Sequence, residues 1–289
     1  MKVFKSEKKK KALLEDYDRL LGQWGVPYEE KDIVNQFGST HVILAGQCSF
    51  PPLVLLHGVG DNSAVMWIHN IRSLSACFRC IAVDTVGGPG KSVPGEAYNK
   101  NFSQREWIDS ILDQLDIKTC FMMGVSNGAV MAFAYAAFSE RVEKLICIEG
   151  GPILSSAVAY KTMLKAFPEI LWPTEKNVKK LLIKLANPRQ GFFEENPNIS
   201  DHMVLIMKAS NQIAMANHKL WIYDNKRAEK LRSKTLIIMG EYSGAKSVEI
   251  MQVLSSDGYK VQVIKDAGHG VNMEQFEILN DSAIAFLKH

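Results

Sequence analysis

The segment Cys120-Phe121-Met122-Met123-Gly124-Val125-Ser126-Asn127-Gly128-Ala129 constrains this chain more than any other. It sets a short apolar run, a G-x-S-x-G and an alanine-rich stretch to Ala137 back to back. A strand that enters a helix through so tight a turn holds its serine in a strained backbone conformation. Glycines two positions before and after leave room for neighbouring backbone. The turn lifts the Ser126 hydroxyl clear of the sheet. The helix that follows aims its first amides, and their partial positive charge, at the same point. The pattern predicts a strand–turn–helix unit of an α/β sheet that presents an accessible serine.

The rest of the chain keeps that rhythm. Apolar runs at Leu53–Leu56, Ile81–Val83, Cys120–Met123, Leu145–Ile148, Leu236–Met239 and Val261–Ile264 alternate with longer amphipathic stretches. Such runs predict βαβ units and a mainly parallel central sheet flanked by helices. Residues 6–23 read as a helix, and residues 30–46 as two extended runs around Gly38, a hairpin. Residues 152–232 break the pattern, with no strand signal but several helical ones, Val178–Leu185 and Met203–Tyr223 among them. We expect an α/β core of residues 1–151 and 233–289, with 152–232 inserted as a helical cap over the strand ends, where open α/β sheets bind ligands. A chain of 289 residues, 47% of them apolar, has material for one such core.

A serine needs an adjacent base to become a nucleophile. Of the seven histidines, His269 stands in Ala267-Gly268-His269-Gly270, after the last apolar run and before the closing helix. That is the place expected of the base in the order Ser…acid…His. His41, His202, His218 and His289 have no comparable context and read as ordinary. Acyl transfer also needs donors for the developing oxyanion. Leu55-Leu56-His57-Gly58-Val59-Gly60 ends an early strand in a turn whose amides can face the serine. The pair expected there is the amide of Val59 with that of Asn127. His57 reads as a brace for its own turn rather than as a second base.

Composition excludes several classes. A formal net charge of +3 gives no argument for a nucleic-acid partner. The lysines at positions 2, 5 and 8–11 read as the solvated start of a helix. No run of about 18 apolar residues offers a membrane span, and no apolar stretch after those lysines makes a secretory signal. Five cysteines at loose spacing argue against a disulfide framework, and Cys77-x-x-Cys80 lacks the second pair a zinc site needs. Reduced thiols in the cytoplasm are expected. Gly87-Gly88-Pro89-Gly90-Lys91-Ser92 imitates a phosphate-binding loop. Thr85 stands where its first glycine belongs, however, and Pro89 removes an amide.

Taken in order, His57-Gly58-Val59-Gly60 with Trp67 downstream, Asp84 through Ser92, Gly124–Gly128 and Ala267-Gly268-His269 resemble the α/β-hydrolase superfamily. The likeness is to its cytosolic bacterial carboxylesterase-like members with a helical cap. It implies an ester hydrolase that works through an acyl-serine intermediate on a small-molecule ester, with no metal and no organic cofactor. Trp172, Phe192, Phe193 and Trp221 in the cap would line an apolar pocket or simply pack the cap. A lactonase or acyltransferase using the same serine, or a ligand-binding protein on the same fold, are the other readings. The third triad member departs from the family pattern. The usual carboxylate position after the penultimate strand is Ser243, in Gly240-Glu241-Tyr242-Ser243. Three readings stay open: Glu149 at the end of Leu145–Ile148 supplies the acid, Glu241 does, or His269 works without one.

Overall fold

The structure, a computed structural model, describes residues 2–155, 172–243 and 245–289. Its centre is a nine-stranded sheet. The strands are β1 (Tyr28–Asn35), β2 (Gly38–Ala45), β3 (Pro52–Leu56), β4 (Arg79–Val83), β5 (Val93–Pro94), β6 (Cys120–Val125), β7 (Val142–Ile148), β8 (Thr235–Gly240) and β9 (Lys260–Ile264). They lie in the order β1-β2-β4-β3-β6-β7-β8-β9, with β5 paired to β2. From β4 to β9 every pairing is parallel, and the β1–β2 hairpin is added antiparallel at one edge. The chain thus has the α/β fold its apolar runs imply, and the serine strand β6 sits between β3 and β7.

Alternation along the strands divides the core in two. Leu53, Leu55, Met123, Val125, Ile146, Ile148, Leu236 and Ile238 point to one face, where the helix Glu7–Leu21 and Trp67 pack. Val54, Leu56, Met122, Leu145, Cys147 and Ile237 point to the other, against Trp107, Phe133 and Tyr135. Both faces are buried, which is why the runs read as continuous and not alternating. The N-terminal helix forms where residues 6–23 predict it, with the Ser6 hydroxyl accepting from the Lys9 amide.

Between β7 and β8 the described residues carry the helices Glu175–Leu185, Phe192–Glu195, Pro197–Ala209 and Asn225–Ala228. One isolated bridge within the segment, Ile153 to Ile222, joins its two ends. The stretch 156–171 of the expected cap lies outside the described residues. The expected helix Met203–Tyr223 is corrected. It starts at Pro197, a favoured first helical residue, and stops at Ala209. Ser210 is extended, its hydroxyl bonded back to Ile206 O, and Asn211 opens a separate 3₁₀ turn. The extended backbone lets Phe4 bridge to Ser210, while Asn211 N donates to Val3 O, tying the N-terminus to this segment. No helix among the described residues is long and apolar enough to cross a membrane.

The two elbow glycines are fixed by backbone approach. A Cβ on Gly128 would sit 2.1 Å from Leu56 O, and one on Gly124 2.4 Å from the Gly128 carbonyl carbon. Backbone cannot yield as a side chain can. Gly128→Ala should therefore destabilise the fold by about 1–3 kcal/mol through overpacking. Thermal unfolding followed by circular dichroism should show a midpoint several degrees below wild type, and an unchanged midpoint would contradict this packing.

Candidate active site

Ser126 joins β6 to the helix Asn127–Phe138 at φ 53° and ψ −118°. Such a conformation persists only where the surroundings over-determine it. Here they do: Ser126 N donates to Ile148 O at 2.8 Å on one side, and Ser126 O accepts from Val130 N at 3.1 Å on the other. The turn after β3 lies directly alongside, since a Cβ on Gly58 would stand 3.4 Å from Ser126 Cβ. Val59 follows Gly58 and Asn127 follows Ser126, and neither N–H donates a hydrogen bond among the described residues.

His57 is locked into that turn. Its Nδ1 lies 2.8 Å from Gly58 O and its Nε2 accepts from Thr85 N at 2.9 Å. Nδ1 therefore carries the proton, and burial pushes the pKa of the ring down. It braces the turn, as its position suggests. The Gly-Lys-Ser loop is likewise self-contained. Asp84 accepts from Lys91 N at 2.7 Å and from Ser63 N at 3.0 Å, so the Lys91 amide is already engaged.

His269 follows β9, on a loop that bends back across the sheet edge. Its amide donates to Leu185 O at 2.6 Å. The buried Glu274 holds the loop from behind, accepting from Gly268 N at 3.0 Å and Asn187 N at 2.6 Å. Burial raises the pKa of Glu274 against the pull of those amides. The sequence gives one faint sign of this brace, a carboxylate in the first turn after the His-Gly pair, and the reading above missed it.

Glu149 stands just past β7, in the left-handed region at φ 54°. Its amide continues the ladder to Ile238 O at 2.9 Å, and its side chain lies across the end of β8. Oε1 accepts from Gly240 N and, at 2.6 Å, from the Ser243 hydroxyl. Oε2 lies 3.2 Å from His269 Nδ1. The residue at the customary acid position thus donates a hydrogen bond to a carboxylate arriving from the next strand. Glu241 faces away, exposed, and accepts from Asp266 N at 3.1 Å. Burial lowers the pKa of His269, but the hydrogen bond and charge of Glu149, with Glu274 behind it, outweigh this and hold the ring above 6.5.

Glu149 and His269 are thus in contact, and Gly58 and Ser126 are neighbours. No hydrogen bond joins Ser126 Oγ to the His269 ring among the described residues. The aromatic residues expected around a pocket divide. Phe192 and Phe193 pack edge-on at 5.3 Å, Trp221 stacks on Phe133 at 6.1 Å, and Trp172 is largely exposed. Among the described residues no group of His, Cys, Asp and Glu is arranged to hold a metal ion. Cys80, Cys120 and Cys147 are buried, Cys77 is half-buried, Cys48 is exposed, and all five are free thiols.

Comparison with known proteins agrees with this fold. The family profile described as the alpha/beta hydrolase fold matches residues 51–276. Carboxylesterase YbfK of Bacillus subtilis is 27% identical over 281 residues, covering 94% of this chain and 92% of its own. The crystal structure of the same protein superposes with a TM-score of 0.83 at 23% identity, over 97% of this chain and 98% of the other. Naproxen esterase of the same organism superposes with a TM-score of 0.81 at 26% identity, over 94% and 96% of the two chains.

The contact between Glu149 and His269 makes a kinetic forecast. A base must be unprotonated to act, so kcat/KM should rise with pH through the His269 pKa, which Glu149 holds above 6.5. Glu149→Gln should lower kcat by up to about 10⁴, the loss seen when a triad acid is neutralised. It should also move the acidic limb of the profile to lower pH. Glu241→Gln should change neither. A loss confined to Glu241→Gln would reassign the acid.

Proposed function

This chain belongs to the α/β-hydrolase family, and on that footing we propose that it is a carboxylesterase in which Ser126, His269 and Glu149 form the catalytic triad. The observation that carries this reading is the Glu149–His269 contact at 3.2 Å on one side of the strained Ser126 turn. A curated relative 27% identical over most of the chain is a carboxylesterase, which supports the same reaction.

The chemistry follows from the placement of each group. His269 Nδ1–H donates to Glu149, which fixes the tautomer and leaves Nε2 as the base. As Ser126 Oγ attacks the ester carbonyl carbon, its proton passes to Nε2. The carbonyl π electrons move onto oxygen, and the N–H groups of Val59 and Asn127 receive that oxyanion. The tetrahedral intermediate collapses, the C–O bond to the alcohol breaks, and the imidazolium returns the proton to the departing oxygen. A water molecule, deprotonated by Nε2 in turn, attacks the acyl-serine and releases the acid and the free serine. No step calls for a metal or an organic cofactor.

The inserted helices between β7 and β8 act in this reading as a cap over the site, with residues 152–232 as its span. The cap is joined to the base, since Leu185 O accepts from His269 N and Asn187 N is bound by Glu274. A small-molecule ester is the substrate class. The five free thiols fit an enzyme of the reducing cytoplasm.

Fluorophosphonate labelling with peptide mapping tests the reading. The wild-type protein should be labelled at Ser126 and should turn over p-nitrophenyl acetate. Ser126→Ala should fold, resist labelling and lose essentially all turnover, because oxyanion binding alone leaves only about 10³–10⁴-fold catalysis over water. Unchanged turnover by a folded Ser126→Ala variant would place the nucleophile elsewhere.

A further inference from the structure

The turn that carries the Val59 amide is anchored at both ends by an imidazole. At its start, His57 bonds to Gly58 O and Thr85 N. At its end, three residues after Val59, Asn62 is fully buried, and its side chain makes three hydrogen bonds. Oδ1 accepts from Val65 N at 3.4 Å, capping the short helix Ser63–Met66, while Nδ2 donates to Pro89 O at 3.2 Å and meets His202 Nε2 at 3.0 Å. His202 comes from the helix Pro197–Ala209 of the inserted segment and is itself fully buried. Its other nitrogen, Nδ1, lies 2.7 Å from Asp16 Oδ2 on the N-terminal helix.

The direction of this chain can be worked out. Turning the Asn62 amide over would set its oxygen against the Pro89 carbonyl and its NH₂ against the Val65 N–H, so Nδ2 must be the atom facing His202. An amide nitrogen only donates. His202 Nε2 is therefore an unprotonated acceptor, and the ring proton is on Nδ1, donated to Asp16. Burial works to raise the Asp16 pKa, but hydrogen bonds from His202 and Arg19 outweigh it and hold the carboxyl at about 2. The sequence of bonds is Asn62 N–H to His202, then His202 N–H to the Asp16 carboxylate.

We propose that His202 is a positioning residue for ester hydrolysis: seated on Asp16, it clamps Asn62 and so fixes the far end of the turn whose Val59 amide receives the oxyanion. This rests on the esterase reading above. It makes oxyanion binding depend on how the inserted helix sits on the N-terminal helix. The chain just ahead of the N-terminal helix meets the same inserted helix, since Lys5 N donates to Ala209 O at 2.8 Å and Lys5 Nζ to Met207 O at 3.0 Å. The clamp acts on a group that matters chiefly in the transition state, so its loss falls on kcat. One oxyanion donor accounts for about 10²–10³ in kcat, and a donor displaced rather than removed should lose part of that.

The test is steady-state kinetics and fluorophosphonate inactivation of His202→Leu, His202→Gln and Asp16→Ala, with folding checked by circular dichroism. The Leu variant fills the space but offers Asn62 no acceptor, so its kcat should fall by about 10- to 100-fold, a fraction of one oxyanion donor. KM should stay within a few-fold of wild type, and the inactivation rate should fall with kcat. Gln can offer an amide oxygen in place of Nε2 and should recover much of the loss. If the Leu variant does not fold, Asp16→Ala, which frees the ring to take the wrong tautomer, should show the same kcat-selective loss. A folded Leu variant with wild-type kcat, losses confined to KM, or a Gln variant no better than Leu would overturn the proposal while leaving the esterase reading intact. A wild-type protein that fluorophosphonate does not label would overturn that reading, and this proposal with it.

Discussion

The Glu149 side chain is 1% exposed and gathers three donors: the Gly240 amide, the Ser243 hydroxyl and the His269 imidazole. A carboxylate taken so far out of water is tolerated only if its lone pairs are met. Each donor belongs to a different part of the sheet's edge. Gly240 ends β8, Ser243 lies in the loop beyond it, and His269 follows β9. Meeting the carboxylate of Glu149 therefore pins the ends of β7, β8 and β9 to one another beside the Ser126 elbow. The left-handed backbone of Glu149 is the strain that turns its side chain into this place.

In the proposed triad the acid comes from the end of β7 and not from the loop after β8, and the Ser243 hydroxyl in that loop donates a hydrogen bond to it. The arrangement keeps what the chemistry requires, a carboxylate on the imidazole nitrogen remote from the serine, while changing the strand that supplies it. It also buries the carboxylate among the Gly240 amide, the Ser243 hydroxyl and the His269 imidazole, where the surrounding protein screens charge less than water would.

Much of this was legible in the sequence because it is local. The elbow is written in ten consecutive residues, the His57–Gly60 turn in four, and His269 in a loop between a strand and a helix. Parallel strands announced themselves as short apolar runs because both faces are buried. The acid could only be narrowed, since Glu149 and Glu241 are separated by strand order and by which way each side chain turns at a strand end. The helix Pro197–Ala209 begins before and ends well short of the Met203–Tyr223 pattern. Met203 to Tyr223 keeps an apolar period across a break that Ser210 and Asn211 impose by local hydrogen bonds. His202 read as ordinary because its partners lie 186 and 140 residues away, at Asp16 and Asn62, and no local pattern reports such a contact.

The central claim is that Ser126, His269 and Glu149 work as one unit around an oxyanion held by Val59 and Asn127. A crystal structure of the enzyme phosphonylated on Ser126 measures this directly, since the phosphonyl oxygen mimics the tetrahedral oxyanion. That oxygen should lie within hydrogen-bond distance of both amides, with His269 Nε2 turned to the adduct and Nδ1 still bonded to Glu149. An adduct in which His269 Nδ1 is paired with a group other than Glu149, or in which the phosphonyl oxygen lies away from the Val59 and Asn127 amides, would contradict it.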